Sequence, residues 1–309
     1  MTDTGTLRTL RPLTDHILFL LLRHRIASTA HLHELLADAN ADTGEVSARL
    51  EALRTQHLAA RHQDAWHLTD EGLSVARSQP ESLGLYPDQP ITDPASASAH
   101  AADALTTTTL GLLFRRQHHA AYPGDLFAWD TPAAHHFKDH RDCAPVLLQW
   151  TARLRTCRPH CRPLLPMDAL VDLLPSHALP QTVAERLLDY TRFEGGGPPG
   201  ATTPPGPWRR WYPRAPHLLL ITRTADTGQL LQAVRELAGT DPDVAGLLDR
   251  GRVGLATLAD LEHHGAAAPV WATPHDAKPQ VWTELSCGTG GGVRDSHSSL
   301  MMNRRASQW

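Results

Sequence analysis

Three successive segments before residue 58 carry apolar residues at helical spacing, and this pattern constrains the fold more than any other feature of the sequence. The first segment spans residues 13–25. Ser28 or Thr29 can cap a second helix, and Asp42 or Thr43 can cap a third, since their side chains accept hydrogen bonds from free backbone N–H groups. The apolar positions are Leu13, Ile17, Leu18, Leu20, Leu21, Leu32, Leu35, Leu36, Val46, Leu50 and Leu53. The spacing predicts three amphipathic helices.

A predicted β-hairpin follows the third helix. Two short extended runs, 58–61 and 65–68, flank a polar turn, and Thr69 then starts a further helix. The pattern ends in Trp66-His67-Leu68-Thr69-Asp70-Glu71-Gly72. It resembles the winged helix of many bacterial regulators, in which the recognition helix is followed by a hairpin and a Leu-Thr-x-x-Gly turn. The resemblance implies that the third helix, Thr43 to His57, lies in the major groove of DNA while the hairpin contacts the backbone.

The outer side of the third helix supplies the candidate DNA contacts. Val46, Leu50 and Leu53 share one face and are predicted to point into the core, which leaves the polar residues on the flanks and outside. Together with two hairpin positions, the residues expected to contact DNA are Thr43, Ser47, Arg49, Arg54, Gln56, Arg61 and His62. Side chains of these types bond to phosphate oxygens and to base edges.

The charge of this region indicates that any contacts with DNA are few and local. Residues 1–80 contain eight arginines and ten acidic residues, and Glu45 and Glu51 lie on the third helix itself. The whole chain has a formal net charge of −4, which excludes a polybasic coat for nonspecific nucleic-acid binding. A few well-positioned arginines can still suffice to bind double-stranded DNA, since a homodimer doubles the number of contacts. The alternative is a winged helix that makes only protein contacts, as an adaptor.

Length and composition predict two domains. The chain has 309 residues, more than a single core usually serves. Prolines and small polar residues are concentrated between residues 78 and 99. We therefore expect a first domain at 1–80, a linker at 81–99, an α/β domain at 100–275 and a disordered tail at 276–309, where glycine, serine and arginine accumulate.

Helices and strands alternate in the second part. A helix is predicted at 100–118, although four consecutive threonines at 106–109 disfavour helical structure. Strands are predicted at 126–129, 146–150, 169–174, 216–222 and 253–256, helices at 182–193, 227–237 and 258–264, and an edge strand at Val270 and Trp271. Such alternation is typical of parallel strands covered by helices.

The second part also contains short motifs in a characteristic order. They are His100 with Trp129-Asp130-Thr131, Met167-Asp168-Ala169-Leu170, Ala184-Glu185-Arg186-Leu187-Leu188-Asp189-Tyr190, Pro216-His217-Leu218-Leu219-Leu220-Ile221-Thr222 and His264-Gly265-Ala266-Ala267-Ala268-Pro269-Val270-Trp271. Their order resembles the actinobacterial replication-relaxation family, over about residues 13 to 274. The resemblance implies a role in plasmid replication and DNA relaxation, and a second domain with a restriction-endonuclease-like fold.

One departure from that family bears on activity. The family has a Pro-Asp-Ala strand, then a strand with a Glu-x-Asp pair, then a helix ending in Lys-Leu-x-x-Tyr. Asp168 and Tyr190 match this pattern. Residues 175–181 leave no room for the acidic strand, and Arg186 replaces the lysine. Metal-dependent phosphodiester hydrolysis needs clustered carboxylates around Mg²⁺. Only Asp168 and Asp172 are nearby candidates. Both lie on one predicted strand, and exposure to solvent explains acidic residues at these positions equally well.

A cluster of thiols and imidazoles raises the question of zinc. Its members are His135, His136, His140, Cys143, Cys157, His160 and Cys161. The cluster contains no Cys-x-x-Cys pair, and with 20 histidines in the chain some clustering arises by chance. We expect no metal and no cofactor.

Other patterns narrow the class of protein. The glycines at 195–197 and 290–292 are not followed by the lysine and hydroxyl residue of a phosphate-binding loop, and there is no Gly-x-Ser-x-Gly elbow. No secretory pattern follows residue 1, and the longest apolar run, 17–22, is far shorter than a membrane span. We therefore expect a cytoplasmic protein without membrane contact.

These observations lead to one hypothesis and two alternatives. The chain is expected to be an α+β or α/β protein, in which an N-terminal winged helix-turn-helix precedes a degenerate restriction-endonuclease-like α/β domain. It is expected to bind double-stranded DNA without catalysis, in plasmid or mobile-element replication or its control. The alternatives are a metal-dependent nuclease that uses Asp168 and a winged-helix adaptor or transcriptional regulator.

Overall fold

A computed structural model describes residues 13–37, 41–79, 90–121, 127–139, 144–157, 166–175, 180–195, 206–223, 227–276 and 278–285. Within these segments the protein is a mixed α+β fold with nine α-helices and three sheets. Residues 1–12, 80–89 and 286–309, which belong to the predicted first domain, linker and tail, lie outside the described residues. No helix in the described segments is both long enough and apolar enough to span a bilayer.

The first part of the chain forms four helices and three short strands. They are α1 Leu13–His24, β1 Ile26–Ser28, α2 Thr29–Leu35, α3 Thr43–Thr55, β2 Ala59–His62, β3 Ala65–Leu68 and α4 Asp70–Ser78. The three predicted helices, the hairpin and the helix after it are confirmed. Strand β1 was not predicted; it pairs antiparallel with β3 and gives the sheet order β1-β3-β2. A strand this short shows no alternation that a sequence pattern could reveal.

The helix caps explain where these helices begin. Ser28 Oγ accepts a hydrogen bond from the backbone N–H of His31 at 3.1 Å, which starts α2. Asp42 Oδ1 accepts one from the backbone N–H of Glu45 at 2.8 Å, which starts α3. Of the two candidate caps that the sequence left open for each helix, Ser28 and Asp42 are therefore the ones used.

A long helix, α5 Pro94–Ala121, follows the segment around residue 90. It begins before the predicted start at His100, because Asp93 Oδ1 accepts hydrogen bonds from the backbone N–H groups of Ala95 and Ser96. The threonine run does not interrupt it, since each of the four hydroxyls donates to the carbonyl four residues earlier. Part of the predicted linker is therefore helical.

Helix α5 packs against both parts of the chain. Its first turns cover the sheet of the first part, in a buried cluster formed by Ile26, Ala65, Ile91 and Ala97. Further along the same helix, Leu110 and Phe114 are buried in a core of the second part. One helix therefore connects the two cores.

The second part contains seven strands and four further helices. They are β4 Phe127–Asp130, β5 Ala133–Lys138, β6 Pro145–Trp150, β7 Ala152–Cys157, β8 Pro166–Leu173, α6 Pro180–Glu194, β9 His217–Thr222, α7 Thr227–Thr240, α8 Pro242–Asp249, β10 Val253–Thr257 and α9 Leu258–His264. Strands β5 and β7 and helix α8 were not predicted. Helix α8 did have a sequence signature, because Asp241 caps it and Pro242 occupies its first turn.

Five of these strands form the main sheet, in the order β10-β9-β8-β7-β4. Strands β8, β9 and β10 run parallel, as expected for strands joined through helices. Strand β7 is antiparallel to both β8 and β4, so the expected parallel pairing holds for only part of the sheet. Residues 158–165, between β7 and β8, are too few for a helical crossover. Strands β5 and β6 form a separate antiparallel hairpin.

Helices cover both faces of the main sheet. Leu170 of β8 and Leu218 of β9 belong to a core that also contains residues of α6 and α7. Ala169 and Leu219, one residue along on each strand, belong to the opposite core with residues of α5 and α9. Burial on both faces explains why β9 is apolar along nearly all of its length.

The segment after α9 packs onto the sheet. The predicted edge strand at Val270 and Trp271 is reduced to isolated bridges, of which one joins Trp271 to Gln280. Trp282 is buried in the core on the α5 side of the sheet. The predicted tail from residue 276 therefore includes a packed segment, 278–285.

Candidate nucleic-acid interface

Helix α3 is anchored by one face. Val46, Leu50 and Leu53 are at most 1% exposed and lie in the core of the first part. The helix contacts α1, α2 and β2, so it lies next to the hairpin. The predicted inward face is confirmed.

The opposite side of α3 is open. Thr43, Arg49, Arg54 and Gln56 are all exposed, as predicted. Ser47 is half-buried, and its hydroxyl donates to the backbone carbonyl of Thr43 at 2.9 Å. Four of the five predicted positions on this helix therefore present their side chains to solvent, whereas the Ser47 hydroxyl is used within the helix.

Charges of both signs lie along α3. Arg54 Nε lies 2.7 Å from Glu51 Oε2, and both side chains are exposed. Glu45 is exposed in the first turn. Arg49 forms no ion pair or hydrogen bond with another described residue. Arg49 can therefore meet a phosphate directly, whereas Arg54 must first leave Glu51.

The end of α3 is fixed by a tight backbone turn. His57 has a positive φ of 58°, and its N–H donates to the carbonyl of Arg54. The N–H of Leu58 donates to the carbonyl of Leu53 at 2.9 Å. This pair of bonds is a Schellman motif, which normally uses glycine at the left-handed position. The turn directs the chain from α3 into β2.

The Leu-Thr-x-x-Gly sequence locks α4 against this turn. Thr69 Oγ1 donates to the carbonyl of His57 and accepts from the N–H of Gly72 at 3.0 Å, so one hydroxyl joins both helix ends. A Cβ at residue 72 would lie 1.7 Å from the carbonyl oxygen of Leu58. Only glycine permits this approach of α4 to the end of α3. The packing of α4 against the end of α3 therefore explains the Leu-Thr-x-x-Gly motif in this chain.

The hairpin places a cation beside α3. Arg61 of β2 is exposed, and its Nε donates to the carbonyl of Gln63 at 2.8 Å. Its Nη2 lies 3.2 Å from Asp64 Oδ1, and its Cζ lies 5.7 Å from the centre of the Trp66 ring. His62 is half-buried. The two predicted hairpin residues therefore lie at the turn, with Arg61 already held by neighbouring groups.

The two candidate aspartates of β8 are buried, which corrects their expected exposure. Asp168 and Asp172, both on β8, are 5% and 3% exposed. Arg155 Nε of β7 donates to Asp168 Oδ1 at 2.7 Å, and Arg186 Nε of α6 lies 2.7 Å from Asp172 Oδ2. Burial raises the pKa of Asp172, while Arg186 and a hydrogen bond from Thr151 oppose that rise. Each carboxylate is therefore neutralised by its own arginine.

A second polar network lies beside Asp168, and the sequence did not point to it. Asp130 of β4 accepts hydrogen bonds from Arg153 of β7 and from Arg23 of α1. Tyr212 is hydrogen-bonded to Arg153, and burial raises the pKa of its hydroxyl. Arginines at 153 and 155 alternate along β7 and so share a face. This alternation was the sequence feature from which the network could have been found. It was missed because β7 itself was not predicted.

The thiol and imidazole cluster does not converge among the described residues. His135 is buried within 2.8 Å of the Tyr212 hydroxyl, and burial lowers the pKa of His135 to about 4. His136, next to it on β5, is exposed. His140, Cys143, His160 and Cys161 lie outside the described residues. Within the described segments, no group of three or more histidine, cysteine or acidic side chains is placed to hold a metal ion.

Comparison with known proteins gives no relative: no family model, no curated protein and no solved structure matches this chain. The resemblance to the replication-relaxation family therefore stays a prediction that rests on the order of its sequence motifs.

Proposed function

We propose that residues 13–79 form a winged helix-turn-helix that binds duplex DNA, with α3 as the recognition helix and β2 and β3 as the wing. The element order, in which α2 and α3 are followed directly by a hairpin packed on the same core, supports this proposal. The observation that carries it is the open outer face of α3. Helix α5 packs against β1, β2 and α2, and leaves the polar face of α3 exposed.

The second part, on this proposal, is a degenerate restriction-endonuclease-like domain without catalytic activity. Its mixed sheet, covered by helices on both faces, is compatible with that fold. Asp168 and Asp172 lie four residues apart on one strand, roughly 13 Å at the usual rise of a strand, so they cannot share one ion. Mg²⁺ chemistry needs several oxygen ligands that converge. Both carboxylates are instead paired with arginines.

The biological process comes from the sequence resemblance alone. It favours replication of a plasmid or mobile element, or the control of that replication, as the setting for DNA binding. A homodimer would double the few cationic contacts that each α3 offers. Two copies of this helix would then read two half-sites of one duplex.

One observation favours a second candidate function, a protein-interaction adaptor. Asp42, Glu45 and Glu51 place three acidic residues at or on α3, against two arginines. Negative groups near phosphates oppose DNA binding. The same face would suit a basic peptide or protein surface.

Titration of a labelled duplex with the full-length protein, at several salt concentrations, tests the proposal. The logarithm of the affinity should fall linearly with the logarithm of the salt concentration. Arg49→Ala should weaken binding and reduce that slope by about 0.9, the loss of one phosphate contact. Glu51→Gln should tighten binding, because it removes a negative charge and frees Arg54.

Arg77→Ala is the matched control, since Arg77 is an exposed arginine on α4, outside the proposed contact face. It should bind DNA as the unmodified protein does. A folded protein with no salt-dependent affinity at low ionic strength would contradict DNA binding and favour the adaptor. Equal losses in Arg49→Ala and Arg77→Ala would show that α3 is not the contact face.

A further inference from the structure

A cavity of about 320 Å³ lies where the first part of the chain meets the second. Helices α1 and α2 form one side of it, and α5 and β4 form the other. Small-molecule sites in proteins begin at about this size. The cavity is lined neither by the candidate DNA contacts on α3 nor by the aspartates of β8, so it is separate from both.

The wall of this cavity is rich in hydrogen-bond donors. Arg23 of α1 and Arg115 of α5 supply guanidinium groups, and Trp129 of β4 supplies an indole N–H; Arg115 Nη1 also donates to the backbone carbonyl of Leu35 at 3.2 Å. Two histidines complete the polar part of the wall, and none of the described residues that line it is acidic. Such a wall suits an occupant that brings acceptor atoms, and the strongest acceptors are anionic.

Two of these donors lack a partner within the described chain. Trp129 is 5% exposed, and its Nε1 has no acceptor. Arg23 Nε also has none, although another nitrogen of the same guanidinium contacts Asp130. Gly111, which lines the cavity too, lies directly beside the indole, since a Cβ there would be 2.8 Å from Trp129 Nε1. Both nitrogens are themselves enclosed by the protein, so an occupant of the cavity reaches the accessible 22% of the Arg23 side chain and not these two atoms.

The rest of the wall is apolar. Leu20, Leu35 and Phe127 line the cavity together with the ring of Trp129. A small inorganic anion would satisfy the donors but would leave this apolar surface without contacts. An occupant that fills the cavity therefore needs an apolar body as well as an anionic end.

We propose that this cavity binds a small aromatic carboxylate. Its carboxylate contacts Arg23 and Arg115, because a planar carboxylate matches the forked donors of a guanidinium. Its ring packs against Leu35 and Phe127. The ligand contacts both parts of the chain, so its binding stabilises the arrangement in which they meet. The proposal does not depend on DNA binding.

Calorimetric titration and thermal melting of the full-length protein test this site. The probes are benzoate, 1-naphthoate and indole-3-acetate, with indole-3-acetamide as a neutral molecule of matching shape. At least one carboxylate should bind at a single site and raise the melting temperature. The amide should bind about tenfold more weakly than indole-3-acetate, since it lacks the charge. Absence of binding by all three carboxylates at about 1 mM, or equal binding of the acid and the amide, would overturn the proposal.

Three variants locate the site. Arg115→Met removes the charge but keeps most of the side-chain length, and Leu20→Trp fills the cavity from α1. Each should weaken binding by about tenfold or more. Arg77→Met, on α4 and outside the cavity wall, is the control and should bind normally. Melting without ligand establishes that each variant folds, and Leu20→Trp alone decides the test if Arg115→Met does not fold. Binding that survives Leu20→Trp, or that is lost equally in Arg77→Met, places the ligand elsewhere and contradicts the proposal.

Discussion

At the residue scale, His24 shows how burial controls a titratable group in this chain. It lies at the end of α1 and is 5% exposed, with Nδ1 3.2 Å from the hydroxyl of Thr108. Burial, together with the positive groups of Arg23 and His31, lowers the pKa of His24 to about 3. His24 is therefore neutral in the folded protein at any pH above about 3.

This lowered pKa predicts a loss of stability in mild acid. The unfolded chain binds a proton at His24 below about pH 6.5, and the folded chain does not bind it until about pH 3. The contribution of neutral His24 to the free energy of unfolding is therefore fully present above pH 6.5, and it is lost as the pH falls towards 3. Between pH 7 and pH 5 this single group should cost about 2 kcal/mol of unfolding free energy.

Urea unfolding of His24→Gln at both pH values measures this contribution. The variant should lose about 2 kcal/mol less than the unmodified protein between pH 7 and pH 5. His33→Gln, which changes a half-buried histidine of α2, is the control and should keep the original pH dependence. If His24→Gln and His33→Gln respond alike to pH, buried His24 is not the group responsible.

At the element scale, the approach of α4 to the end of α3 depends on one missing side chain. Gly72→Ala would place a Cβ 1.7 Å from the carbonyl oxygen of Leu58, and α4 would have to move away. We expect this variant to lose about 3 kcal/mol or more of unfolding free energy, the range of severe core changes. Urea or thermal unfolding measures the effect.

Gly239→Ala is the matched control for that substitution. Gly239 lies in α7, and a Cβ there would meet nothing within 4 Å. Alanine is the better helix former, so this variant should be up to about 1 kcal/mol more stable. Similar melting of the two glycine variants would mean that α4 does not need the close approach at Gly72.

At the scale of the whole molecule, α5 makes the first part dependent on residues beyond its predicted boundary. Ile26 and Ala65 are buried because Ile91 and Ala97 cover them. A fragment that ends at residue 80 lacks this cover, whereas a fragment that ends at residue 105 retains it. Burial of one large aliphatic side chain contributes about 2 kcal/mol, so the longer fragment should be more stable by about that amount.

Thermal melting of the two fragments, 1–80 and 1–105, checks this expectation. Both contain all of α3, so both should also bind duplex DNA with the same salt dependence if the proposed interface is correct. Equal melting temperatures would show that the start of α5 adds nothing to the first part.

The full-length protein should not cleave DNA. The reason is that Asp168 and Asp172 are each paired with an arginine and lie too far apart on β8 to hold one ion together. Supercoiled plasmid incubated with the protein and Mg²⁺ or Mn²⁺ should stay supercoiled. Nicked product that disappears in Asp168→Ala would overturn this expectation and restore the nuclease alternative.

The sequence by itself determined the helices of the first part, because their information is local. Helical period and side-chain caps act within a few residues, so Ser28 and Asp42 mark starts that the structure confirms. The inward face of α3 followed from spacing alone. The same local reasoning found most strands of the second part, since apolar runs such as β9 are buried on both faces.

Only the tertiary structure decided which charges meet. Arg155 and Asp168 lie opposite each other because of the register between β7 and β8, and no local pattern specifies that register. Arg186 reaches Asp172 only because α6 packs over β8. Strand β1 likewise exists through its pairing with β3. Contacts between distant residues depend on how elements pack, so their consequences, including the burial of both aspartates, could not be predicted from spacing along the chain.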